Sequence, residues 1–109
     1  MAAETTILFA PFRLDRVAGR LFRGDDVVPL RPKTFATLCV LASRPGELVT
    51  KDDLLQAVWP DVVVTEDMPR FSVRELRRAL GDDPAAPRFI ETVHGRGYRF
   101  IGCLRPPLT

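Results

Sequence analysis

The stretch 65-TEDMPRFSVRELRRALGDDPAAPRFIETVHGRGYRFIG-102 decides how this chain is read. It offers a helix bearing Arg70, Arg74, Arg77 and Arg78, a Pro-rich break, and two β-rich runs joined by Gly95-Arg96-Gly97. At about 100° per residue, Pro69, Val73, Leu76 and Leu80 fall within about 60° of one another and form the core stripe. The four arginines cover an arc of roughly 100° on another side, with Phe71 beside them. Phe71 either packs against another part of the domain or a dimer partner, or meets a thymine methyl or base edge in a groove. Gly81 stops the helix, and the hairpin 89–102, whose Gly95 and Gly97 permit positive φ, lifts Arg96 away from the core. A basic helix alone is ordinarily a solvated face. One followed directly by a basic hairpin offers two adjacent grips on a nucleic-acid backbone.

Charge distribution agrees. The net charge is only +2, but residues 1–69 carry eight Lys or Arg against ten Asp or Glu, whereas residues 70–109 carry eight Arg against four acids. Positive potential is therefore concentrated in the stretch just quoted. With 109 residues and 46% hydrophobic content, the chain suits one domain, 1–109, with a modest core. Cys39 and Cys103 have no CxxC spacing and read as free thiols, and His94 is the one histidine, so no metal cluster is expected. The run after Gly97 opens a strand rather than a helix, which excludes a phosphate-cradling nucleotide loop and leaves no cofactor to expect. No Ser/His/Asp set or paired carboxylates in an apolar setting point to an enzyme. No segment approaches the roughly 20 apolar residues needed to span a bilayer, so membrane contact is not expected and a cytoplasmic location is.

Upstream, residues 7–30 consist of short apolar pieces broken by turn residues, which fits an antiparallel meander with strands near 7–9, 12–15, 20–23 and 27–30. Pro32 suits a first helical turn, and Phe35, Leu38, Cys39 and Ala42 recur at helical spacing, predicting a helix over about 32–43. Thr50 heads a second helix, about 51–59, with Asp52 and Asp53 in its first turn and Pro60 ending it. Trp59 reads as a core residue. The third helix spans about 68–80, with Asp67 as its N-cap because Pro69 lacks an amide donor. The class is α+β: sheet, three helices, hairpin.

LRPKTFATLCVLASRPGELVTKDDLLQAVWPD, followed by VTED, ELRRALGDD and IETVHGRGYRF, resembles the winged helix-turn-helix effector domain of OmpR/PhoB-type transcriptional regulators over about residues 7–102. The resemblance implies a four-stranded N-terminal sheet, a three-helix core and a C-terminal β-hairpin wing. It implies sequence-specific binding of double-stranded DNA, with the third helix in the major groove and the wing on the adjacent minor groove or backbone. The family's base- and phosphate-contacting positions fall on Ser72, Arg74, Glu75, Arg77 and Arg78 of the helix and on Thr92, His94 and Arg96 of the wing; Arg70 and Phe71 share the same face. The position of Trp59 can reach a phosphate through its indole N–H. The loop 60–66 can contact RNA polymerase, and two copies can form a homodimer on tandem half-sites.

Where the family commonly has a basic or polar residue this chain has Glu75, which either accepts from a cytosine or pairs with Arg74 or Arg78, the pairing being the safer reading. His94 replaces a frequent Arg, so its contact should strengthen as pH falls and imidazole gains charge. No receiver domain with a phosphoacceptor Asp is evident. The opening MAAETTILFAPFRLD resembles regulators that carry this domain first, which implies an excised N-terminal module of a longer regulator; a complete one-domain protein is the alternative. Pro69, Phe71 and Glu75 are unusual on a DNA-reading helix and support a rival reading, a winged-helix protein-interaction module that has lost DNA binding.

Overall fold

The structure, a computed structural model, describes residues 6–60 and 67–104. Four strands, β1 (Thr6–Phe9), β2 (Phe12–Asp15), β3 (Arg20–Arg23) and β4 (Asp26–Val28), pair in sequence order as an antiparallel meander. Period-two alternation produces this sheet: Ile7 pairs with Leu14, Leu14 with Leu21, and Phe9 with Phe12, so one face is apolar and turned inward. Then follow α1 (Pro32–Ala42), β5 (Leu48–Thr50), α2 (Lys51–Val58), α3 (Asp67–Leu80), β6 (Ile90–Val93) and β7 (Gly97–Phe100). The core lies between the meander and the helices. Phe9 meets Phe100 edge-on with ring centroids 5.1 Å apart and Phe89 at 5.7 Å, which ties the N-terminal sheet to the root of the C-terminal strands. Leu38, Leu41, Leu54, Val73 and Leu76 fill the helical side.

The expected strands and helices are present with ends shifted by a residue or two, and one strand was not expected. Three residues, Leu48–Thr50, are too short to show a period, yet they pair antiparallel with β7. The wing is therefore not a free two-stranded hairpin but a three-stranded sheet in the order β5-β7-β6. This arrangement corrects the role of Gly97. Only Gly95 of the turn has positive φ, at 75°. Gly97 is needed because β5 runs so close that a Cβ there would collide with the Val49 carbonyl oxygen and lie 2.8 Å from Thr50 Cα.

Helix ends follow local chemistry. Thr50 and Asp53 form a reciprocal capping box: Thr50 Oγ1 accepts from the Asp53 N–H and the Asp53 carboxylate accepts from the Thr50 N–H, each at 3.0 Å. That backbone bond, with Thr50 Oγ1 and Arg44 adding to it, holds the Asp53 carboxyl below its ordinary value. At the other end of α2, Lys33 Nζ donates to the Val58 carbonyl at 2.7 Å. The end of α3 is closed by the Asp82 N–H to the Arg77 carbonyl at 2.8 Å and the Gly81 N–H to the Arg78 carbonyl at 3.4 Å.

Candidate nucleic-acid interface

Helix α3 buries Pro69, Ser72, Val73, Leu76 and Leu80. The helix begins at Asp67, one residue earlier than expected, so Asp67 stands within the first turn rather than capping it. Pro69 is accordingly a third helical residue, where its missing amide has no intrahelical partner to lose. Opposite the core, Arg70, Arg74 and Arg78 are exposed and succeed one another at i, i+4 and i+8. Like charges so placed oppose helix formation by a few tenths of a kcal/mol per pair, about 0.2–0.5. Asp67, 3.8 Å from Arg70 across exposed surface, relieves little of it. Among the described residues no ion pair holds Arg74 or Arg78, so the stripe is open to an anionic partner.

Four of the residues expected to contact DNA, three on α3 and one on the wing, are engaged elsewhere. Ser72 is only 5% exposed, because it lies three residues after Pro69 and four before Leu76 and so shares their inward stripe. Glu75 does not pair within its helix. It reaches α1, with Oε2 3.3 Å from Arg31 Nε and Oε1 accepting from Thr34 Oγ1 at 3.4 Å. Arg77 turns toward the wing, its Nη2 donating to the Ile90 carbonyl at 2.9 Å and to Thr92 Oγ1 at 2.8 Å. Thr92 is thereby also an internal acceptor. Phe71 is 53% exposed and, with Met68 and Trp59, lines a groove of about 600 Å³ beside the start of α1. Trp59 itself is buried, in keeping with a core residue rather than a phosphate contact. The loop 60–66, save Pro60, lies outside the described residues.

The wing's register explains who faces whom. Thr92 opposes Tyr98 and Ile90 opposes Phe100, placing those side chains on the inner face, while Glu91 opposes Arg99 on the outer face and pairs with it at 2.7 Å. At the tip His94 and Arg96 are exposed, and the Arg96 backbone is fixed on two sides, donating to Val93 and accepting from the Lys51 N–H at 3.2 Å. Between α3 and the wing lies a cleft of about 550 Å³ bordered by Arg70, Arg74, Arg77, Arg78, Thr92 and Tyr98. Burial raises the Tyr98 phenol above its ordinary value, partly offset by the charges of Arg77 and Arg70. Tyr98, Arg31 and Asp82 were missed from sequence. Period-two pairing with Thr92 could have found Tyr98. Nothing local marks Arg31, and Asp82, which accepts from the amides of Arg88, Phe89 and Ile90, looked like one more acid after a helix.

Comparison with known proteins agrees with this geometry. The family model described as "Transcriptional regulatory protein, C terminal" matches residues 24–100. Transcriptional regulator HilA of Salmonella typhimurium is 42% identical over 82 residues, 75% of this chain and 15% of HilA. The KDP operon transcriptional regulatory protein KdpE of Escherichia coli is 36% identical over 101 residues, 92% of this chain and 45% of KdpE. The chain thus spans less than half the length of these relatives. Among solved structures, the Klebsiella pneumoniae RstA DNA-binding domain in complex with the RstA box superposes with a TM-score of 0.79 at 28% identity, covering 88% of this chain and 96% of that one. A four-stranded sheet, three helices, a wing anchored on the third of them and the matched family model together place this chain in the OmpR/PhoB-type family of winged-helix DNA-binding domains of transcriptional regulators.

Proposed function

We propose that the domain binds double-stranded DNA sequence-specifically as the reading head of a transcriptional regulator, with α3 in the major groove and the wing on the adjacent minor groove or backbone. The observation that carries this reading is the exposed cationic stripe of Arg70, Arg74 and Arg78 along α3, which borders a cleft shared with Thr92 and Tyr98 of the wing, while the intervening carboxylate of Glu75 is drawn aside by Arg31; His94 and Arg96 stand exposed at the tip of the same wing. Arginine guanidinium groups suit bidentate contacts to phosphate and to guanine O6 and N7. Phosphate contacts supply affinity and salt dependence, and base-edge contacts worth about 1–3 kcal/mol each supply discrimination. Phe71, half exposed next to this stripe, is positioned for an apolar base contact. The domain is a binding module, not an enzyme, and acts in the cytoplasm where the DNA is.

One such domain binds weakly, so two copies on tandem half-sites are the working form; RNA polymerase is the partner proposed for the 60–66 loop. Selection of bound duplexes from a random pool tests the reading. A recovered motif, repeated at about one helical turn, is expected. Retention of no duplex at low salt would instead favour the interaction-module reading, for which the apolar groove at Trp59, Met68 and Phe71 would be the surface.

A further inference from the structure

We propose that Arg77 is not a DNA ligand but a positioning residue that sets the angle between α3 and the wing before DNA arrives. By charge alone it cannot be told from its neighbours, since it stands on the same arc of the helix, at the edge nearest the wing. Its geometry is different. Nη2 is committed to two acceptors on β6, the Ile90 carbonyl and Thr92 Oγ1, and Nε is buried without a hydrogen-bond partner, leaving at most Nη1 for a phosphate. Both acceptors belong to residues whose side chains lie on the inner face of the wing, and Ile90 is fully buried.

The rest of α3 packs chiefly on α1 and α2, and the wing packs on β5 and α1. They share α1 as a support, and direct attachments between them add to it. Asp82 secures the root of β6 through the amides of Arg88, Phe89 and Ile90. Arg77 makes a second attachment, reaching as far as Thr92, and two attachments along one strand define an angle where one would leave a hinge. A lysine ammonium could also donate twice, but it turns freely at the end of a flexible stem and lacks the rigid plane that aims both N–H bonds of Nη2 at the two acceptors. Simultaneous engagement of helix and wing requires the preset angle, because any freedom there must be lost on binding.

This inference rests on the duplex-binding reading, and the test keeps the two apart. Binding of the unaltered domain, Arg77→Lys, Arg77→Ala, Thr92→Val and Arg74→Ala is measured as a function of salt, on a mixed-sequence duplex and on the duplex recovered by selection, with thermal unfolding of each variant. Failure of the unaltered domain to bind either duplex refutes the functional reading itself. If that domain binds, Arg74→Ala should lower the salt slope by about 0.9, the share of a single neutralised phosphate. Arg77→Lys and Arg77→Ala should leave the slope on mixed-sequence DNA unchanged yet weaken binding to the selected duplex about ten-fold, the scale of one charge-assisted hydrogen bond. Thr92→Val should weaken selected-duplex binding in the same direction and add little in the Arg77→Lys background. The proposal is overturned if Arg77→Lys retains full preference for the selected duplex, or if Arg77→Ala, folded, lowers the slope as much as Arg74→Ala.

Discussion

Replacing Asp82 with alanine should be among the most destabilising single polar changes in the domain, although the residue lies in a connection after α3. Its carboxylate accepts from the N–H groups of Arg88 at 2.7 Å, Phe89 at 3.3 Å and Ile90 at 2.9 Å. The bonds differ in worth. Arg88 is exposed, so water replaces that acceptor at little cost, and the contact to Phe89 is long. The bond to Ile90 dominates, because that residue is fully buried and its amide would be stranded. Hydrogen bonds to charged groups contribute about 1.5–3 kcal/mol net, and a buried donor left unpaired costs a similar amount. Three bonds sharing one carboxylate do not add, which puts Asp82→Ala at about 2–4 kcal/mol. That is a large part of the roughly 5–15 kcal/mol available to a domain of this kind. Asp82→Asn keeps one acceptor oxygen and should lose about half as much. Urea unfolding followed by Trp59 fluorescence measures both: the midpoint should fall with the slope m unchanged. A loss below about 0.5 kcal/mol for the alanine variant, the level of an ordinary surface change, would refute the reasoning.

Gly97→Ala should cost about 2–3 kcal/mol, since the added Cβ meets rigid backbone at Val49 and Thr50, while Gly95→Ala, strained only by its positive φ, should cost about 1–2; chemical denaturation ranks them. Arg31→Ala should change stability by under about 1 kcal/mol because the pair with Glu75 is exposed, yet weaken duplex binding by releasing the carboxylate toward the arginine stripe; Glu75→Gln in the same background should restore binding in an anisotropy titration. Asp53 adds stability that is present above the ordinary carboxyl value of about 3.9 and is lost as pH falls through its lower folded value. Asp53→Asn should therefore flatten the acid limb of a stability-against-pH curve, and an unchanged limb would remove Asp53 from the account.

The fold was legible wherever a period had room to repeat. The core stripe of α3, the meander from Ile7 to Leu21 and the Thr50 cap could all be read from residue spacing and residue chemistry. What could not be read depends on parts of the chain that meet only after folding. Leu48–Thr50 becomes a strand because β7 lies beside it, and Gly97 then serves close approach rather than turn geometry. The same distinction separates the arginines. Arg74 and Arg77 are equivalent by charge, but only the fold brings the Thr92 hydroxyl and the Ile90 carbonyl within reach of Arg77. Glu75 was expected to find a partner one turn away, whereas Arg31, distant in sequence, lies nearer in space. Ser72 was recoverable from spacing, since three-and-four arithmetic already places it with Pro69 and Leu76, and Tyr98 from its period-two pairing with Thr92.

The central claim is that Arg70, Arg74, Arg78 and Arg96 present one cationic surface to a DNA backbone. The salt dependence of affinity for a duplex tests it most directly. Four phosphate contacts predict that log K falls with log salt with a slope of about −3.6, moving toward zero by about 0.9 for each of these arginines replaced by alanine. Binding that is insensitive to salt, or a slope unmoved by Arg74→Ala and Arg96→Ala, would contradict the account.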